Sequence, residues 1–250
     1  MQLSRRSSFG TVLYILGLLL VSCADAGAPS GAANPGGAVG KTTGECSDDN
    51  IPACDARCKS GDGHVCMILG NYRMLGKIPG DAREAFELGC QFKNVTSCEN
   101  LGTVLVTSPT STPTDKTRAF QLQQDACDGG SFNACYNLAN YHLGGIGTRP
   151  DPARAAALLQ SRICGTKVND FDDMIIATKG CKILGELYAT GTGVEQDLHR
   201  ALKLLKLACE VGTSTAKEFK EKGVQVEWNG FNYLKACNDA QRLESEGVQE

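Results

Sequence analysis

The sequence has little that would hold a small molecule. It contains no phosphate-binding glycine loop, no pair of metal ligands on one helix face and no Gly-x-Ser-x-Gly elbow, so the common local signatures of nucleotide, metal and acyl-transfer chemistry are missing. Its three histidines, His64, His142 and His199, are scattered; no metal and no cofactor is expected. Positive charge is not in excess. The formal charge is -3, and removing residues 1–22, which hold Arg5 and Arg6 but no acidic side chain, takes it to -5. Nucleic acid is therefore not expected as a partner. The apolar run from Thr11 to Val21 is too short to span a bilayer.

That run has another reading. Preceded by Arg5 and Arg6 and ending in Leu20-Val21-Ser22-Cys23, it has the order of a secretory signal, and its end resembles the bacterial lipobox, in which cleavage before the cysteine leaves a thiol that carries diacylglycerol. Residues 1–22 are then a signal peptide and Cys23 the lipidated residue. From Ala24 to Glu45 the chain is Gly, Ala, Pro and Ser with almost no large apolar side chain. Such a segment cannot bury enough surface to offset its ordering entropy. Residues 23–45 read as a lipidated tether whose ends lie roughly 25 Å apart on average.

Thirteen cysteines are odd in number. With Cys23 reserved for lipid, twelve remain, enough for six disulfides, and an exported chain of this kind belongs in an oxidising compartment. Cys46/Cys54, Cys58/Cys66, Cys90/Cys98 and Cys127/Cys135 are each separated by eight positions, a regularity that marks a repeat array. Asn94-Val95-Thr96 matches the N-glycosylation pattern, which carries little weight behind a bacterial export signal.

The intervals between cysteines repeat a second grammar. Asp81-Ala-Arg-Glu-Ala85, Asp115-Lys-Thr-Arg-Ala119, Asp151-Pro-Ala-Arg-Ala155 and Asp197-Leu-His-Arg-Ala201 each place Asp four residues before Ala. Asp is a good N-cap, Glu84 would complete a capping box and Pro152 suits a first helical position. Downstream, Leu198, Ala201, Leu202, Leu205, Ala208 and Cys209 share one helical face. A second cysteine then opens another helix with Leu and a small residue three and four positions on: Cys66 with Leu69-Gly70, Cys98 with Leu101-Gly102, Cys135 with Leu138-Ala139, Cys181 with Leu184-Gly185. The small residue lets two helices approach closely. Gly145/Gly147 and Gly191/Gly193 end the second helix.

The order Asp-x-x-Arg-Ala, Cys, seven residues, Cys-x-x-Leu-Gly, closed by Tyr188-Ala-Thr-Gly-Thr-Gly193, resembles Sel-one-like repeats, relatives of tetratricopeptide repeats, in their secreted cysteine-rich subclass, over about residues 50–240. The resemblance implies an all-α solenoid of about five antiparallel helix pairs in a right-handed superhelix, each pair clipped by a disulfide. It implies Cys46–Cys54, Cys58–Cys66, Cys90–Cys98, Cys127–Cys135, Cys164–Cys181 and Cys209–Cys237, with a shuffled set among the first four left open because Cys54 and Cys58 lie one helical turn apart. Residues 46–243 form the repeat domain and 244–250 a tail.

Three departures stand out. The second repeat is three residues shorter between Ala85 and Cys90 than the third and fifth, which predicts a helix start earlier than Asp81. Cys164 and Cys181 are 17 apart and Cys209 and Cys237 are 28 apart; these insertions carry Phe171, Met174, Ile175 and Ile176, then Trp228, Phe231 and Tyr233. Insertions in repeat arrays often sit on the binding face, and terminal aromatic residues also serve as caps.

The expected function is a lipid-anchored interaction scaffold or adaptor of the bacterial cell envelope, periplasmic or outward-facing, with an unidentified protein partner and the membrane reached through Cys23. One alternative follows from the same resemblance: penicillin-binding or β-lactamase activity has been associated with the cysteine-rich subclass, and Ser214-Thr-Ala-Lys217 looks like a Ser-x-x-Lys nucleophile motif. Ser-Asp-Asn and Lys-Thr-Gly are both missing, and Ser214 reads equally well as the cap of a helix running through Lys217 to Lys222. A structural envelope protein without catalytic role is the other alternative.

Overall fold

The structure, a computed structural model, describes residues 50–164, 171–221 and 233–249, apart from the side chains of Phe171, Asp172 and Phe219. It is an all-α solenoid of five antiparallel pairs: α1 (Ile51–Lys59) with α2 (Gly63–Met74), α3 (Ala82–Gln91) with α4 (Val95–Thr107), α5 (Pro113–Asp128) with α6 (Phe132–Gly144), α7 (Pro152–Leu158) with α8 (Phe171–Thr190), and α9 (Leu198–Glu221) with α10 (Tyr233–Ser245). Each pair carries a disulfide between its helices: Cys58–Cys66, Cys90–Cys98, Cys127–Cys135, Cys164–Cys181 and Cys209–Cys237. Cys54 is also disulfide-bonded; Cys46, its expected partner, lies outside the described residues, as does Cys23.

The eight-residue interval follows from backbone geometry. In the first three pairs the residue three after the leading cysteine takes positive φ: Gly61 at +111°, Lys93 at +60° and Gly130 at +94°. The next amide then turns back onto the carbonyl just before that cysteine: Asp62 to Arg57, Asn94 to Gly89 and Ser131 to Ala126, at 2.9 to 3.1 Å. This is the reversal of a Schellman cap. Asp62, Asn94 and Ser131 in turn cap the second helix, accepting from the amides of Val65, Ser97 and Ala134. One residue beyond each of those lies the second cysteine, back beside the first.

The far ends obey a second rule. Ten residues after the second cysteine stands a left-handed glycine, Gly76, Gly145, Gly191 or Gly247, and the amide after it bonds the carbonyl of Tyr72, Tyr141, Leu187 or Leu243. The exception is α4, whose corresponding residue is Ser108 and which ends without that turn.

The starts of the first helices follow the Asp grammar with two corrections. Asp81, Asp151 and Asp197 accept amides of the first turn from Arg83, Arg154 and Arg200. The second repeat does not start early: α3 begins at Ala82, and Asp81 bonds the Arg83 amide rather than that of Glu84. Asp115 is not a cap. The helix begins one turn earlier, where Thr112 caps it and Asp115 supplies the reciprocal half of a capping box. Shortening or lengthening by about one turn keeps the buried face in phase. A single extra residue does not, and Asp151 to Cys164 is one residue longer than Asp197 to Cys209. It is taken up by a π-turn at Leu159–Ile163 that leaves both ends of the segment buried against the core.

Between pairs, the small residues are points of contact. A Cβ on Gly70 would lie 2.3 Å from the Phe86 ring, and one on Gly185 would lie 2.9 Å from Leu205. Phe86 and Leu205 are among the largest fully buried side chains.

Candidate interaction surface

The described parts of the two inserted segments belong to one feature. α8 starts ten residues before Cys181 and α9 continues twelve residues past Cys209, so neither cysteine marks a helix end, contrary to the sequence reading. The two helices are consecutive, packed on each other and joined by residues 191–197. Both extensions therefore lengthen the same helical hairpin beyond its disulfides. The apolar phase persists along them: Leu205, Ala208, Gly212 and Thr215 stay buried on α9, as do Thr178, Cys181, Leu184 and Tyr188 on α8. Met174, Ile175 and Ile176 are half-buried.

The opposite face of α9 is a long exposed stripe at helical spacing: Arg200, Lys203, Leu207, Glu210, Ser214 and Lys217. Leu207 is 41% exposed among those charges. Ser214 caps nothing. It lies inside α9, where its hydroxyl donates to the Val211 carbonyl at 3.1 Å, while the Lys217 ammonium, on a side chain 77% exposed, lies 3.9 Å from Glu221. A serine nucleophile needs a base in hydrogen-bond reach and a site that excludes water; this pair has been given to local helix contacts.

Trp228 and Phe231 lie outside the described residues. Tyr233 opens α10 half-buried, against Gly212 of α9, where a Cβ would stand 2.2 Å from the tyrosine Cβ. At the position where other second helices bury Gly70, Gly102, Ala139 and Gly185, α10 exposes Gln241. A polar residue there is what a closing repeat presents to water.

At the base of the hairpin an open groove of about 700 Å³ is lined by Tyr188 and residues 194–200. The Arg200 guanidinium sits 5.0 Å from the Tyr188 ring centroid and donates to its hydroxyl at 2.8 Å. That hydroxyl donates to Gln160 of the π-turn at 2.9 Å. His199 Nδ1 donates to the Gln249 carbonyl at 2.6 Å, which holds Gln249 against α9. Arg200, the arginine of the last Asp-x-x-Arg-Ala, thus ties the fourth and fifth pairs together, a role that the sequence shows only as a recurring cation. Elsewhere Arg118 bonds Glu87 at 2.9 Å and Arg83 bonds Asp115 at 3.0 Å, linking α3 to α5.

Among the described residues no group of three or more His, Cys, Asp or Glu side chains converges on a metal-sized site, and no helix is long and apolar enough to cross a membrane. Buried polar groups concentrate between α4 and α6. Burial raises the Glu99 carboxyl above its ordinary range despite a hydrogen bond from Asn133, and pushes the Tyr141 phenol up to about 12. Burial, reinforced by Arg154, holds the His142 imidazole below its usual value.

Residues 133–161 and 179–212 match the Sel1 repeat family, each match running from a second helix through the glycine loop into the next first helix. The chain is 25% identical over 191 residues to the cytochrome c oxidase assembly factor 7 homolog of Drosophila melanogaster, covering 64% of this chain and 72% of that one. Its fold is similar to a protective antigen of uropathogenic Escherichia coli with an SLR fold, at a TM-score of 0.54 and 19% identity over 80% of this chain, which spans 44% of the antigen. It is likewise similar to a Sel1 repeat protein of Oxalobacter formigenes, at a TM-score of 0.50 and 16% identity, covering 73% of this chain and 74% of that one.

Proposed function

We infer that this chain, which carries Sel1 repeats in a disulfide-clipped solenoid, works as a protein-protein interaction scaffold held at the bacterial cell envelope by lipid on Cys23. Repeats of this class generally serve as interaction scaffolds, and bridges in every pair fit an oxidising compartment outside the cytoplasm. The observation that carries the reading is the α8–α9 hairpin. It is the place where the array departs most from its own period, and departures of that kind usually serve binding. Its outer stripe offers a partner one exposed leucine, Leu207, flanked by the charged Lys203 and Glu210, an apolar centre with a polar rim.

The anchor is tested by Cys23→Ser. The variant is expected in the soluble fraction, and one that still partitions with membranes would remove the lipid from the account. The scaffold is tested by crosslinking and mass spectrometry in the native envelope. Crosslinks from Lys203, Lys206 and Lys217 to one other protein are expected; crosslinks confined to α1–α4 would place the binding face elsewhere.

The alignment with the Drosophila protein, named as an oxidase assembly factor, favours a narrower version in which the partner is a subunit of a membrane oxidase during its assembly. Deleting the chain should then lower terminal oxidase activity and leave the abundance of unrelated envelope enzymes unchanged. The hydrolase alternative would be revived by nitrocefin turnover that disappears in Ser214→Ala.

A further inference from the structure

The junction between α4 and α5 is built differently from those between α2 and α3 and between α8 and α9. Four residues before the leading cysteine, α3 places Phe86 over Gly70 and α9 places Leu205 over Gly185. The same position on α5 is Gln123, fully buried, and a Cβ on Gly102 would lie 2.8 Å from its side-chain nitrogen. That nitrogen donates to the Glu99 main-chain oxygen at 2.9 Å, while Oε1 has no protein partner among the described residues. The Tyr141 hydroxyl reaches back to the Gly102 carbonyl at 3.3 Å and also meets the Gln123 side chain. Glu99, 6% exposed, crosses the same seam to Asn133 on α6.

Two independent observations mark this place. Only a small apolar cluster crosses the seam, joining Ala119 and Tyr141 to Phe86, Leu101 and Leu105, and the larger one that continues through α10 starts beyond it at Ala126 and Cys127. The exit from α4 is also the one that lacks the left-handed glycine, passing instead through Ser108-Pro-Thr-Ser-Thr112.

We propose that this polar seam is a built-in joint: the solenoid consists of two cooperative blocks, α1–α4 and α5–α10, and opens between α4 and α5 before either block unfolds. In a linear array each interface contributes separately to stability, so opening occurs first where the interface term is weakest. A buried amide with one unmet acceptor and a buried carboxyl contributes less than a phenylalanine or leucine in the same place. A scaffold with one such joint can change the angle between the surfaces it offers.

Native-state hydrogen exchange of the full chain, disulfides intact, over a series of low urea concentrations tests the joint. Peptides of α1–α4 and of α6–α9 should follow two different exchange isotherms. In Gln123→Leu the two should merge, with α1–α4 exchange slowing about tenfold, the change expected when a buried unmet polar group is replaced by an apolar one. If Gln123→Leu does not fold, Glu99→Gln carries the same comparison. A single isotherm in the unmodified chain overturns the proposal, and so do two isotherms that neither substitution shifts.

Discussion

Lys93 and Gly130 occupy the same place in consecutive clips, three residues after Cys90 and Cys127, with φ of +60° and +94°. The backbone rule is common to both, but only one of the two residues meets it without a steric penalty. A non-glycine residue in the left-handed region costs roughly 1–2 kcal/mol, partly offset by the extra freedom glycine gives the unfolded chain. Lys93→Gly should therefore raise stability by about 0.5–1 kcal/mol in urea unfolding, whereas Gly130→Ala should lower it. A loss of stability in Lys93→Gly would mean that the side chain, not the turn, governs that position.

Gly70→Ala sets two effects against each other. In an open helix the change is favourable by roughly 0.5–1 kcal/mol. Here the new methyl would lie 2.3 Å from the buried Phe86 ring, and overpacking costs about 1–3 kcal/mol. Packing should win, giving a net loss by chemical denaturation, and Gly70→Ala with Phe86→Leu should recover part of it. Unchanged stability in the single variant would show that the α2–α3 contact yields freely.

Burial raises the Glu99 pKa in the folded chain. The folded state then holds its proton more tightly than the unfolded state, so the contribution of neutral Glu99 is fully present below the unfolded carboxylate pKa and is lost as pH rises through the folded value. Melting temperatures of the unmodified chain and Glu99→Gln should thus diverge in favour of the variant between pH 4 and pH 7. A difference that stays constant with pH would remove Glu99 from the pH dependence.

The clips should act locally. Replacing Cys90 and Cys98 together by Ser opens a loop of about nine residues, worth about 2.5 kcal/mol by chain entropy. The loss should concentrate in α3 and α4 when protease sensitivity is mapped, with α8–α10 protected as before. Equal loosening of every pair would argue against separate clips.

The helix pairs and their clips could be read from sequence because the cysteine interval is fixed by local geometry: a left-handed residue, a cap and half a turn of helix each use a set number of residues. Thr112 was hidden as a cap because Thr112 and Asp115 are three apart, so each has the capping residue type and the pair functions as a unit. The hairpin extensions were illegible for another reason. Cys181 and Cys209 stand where shorter repeats end or begin their helices, and only the partner helix decides that the apolar phase continues through Thr178 and Thr215. Gln123 gave no signal, since a glutamine on a helix reads as a solvent-facing residue until its neighbour, Gly102, is known.

The claim that the exposed face of α9 receives a protein is tested most directly by photocrosslinking from a benzoylphenylalanine placed at Leu207, with the same group at Gln121 on α5 as the comparison. In native envelopes the Leu207 probe should give one discrete protein adduct that the Gln121 probe does not give. No adduct at Leu207, or the same adducts from both positions, would contradict the scaffold account.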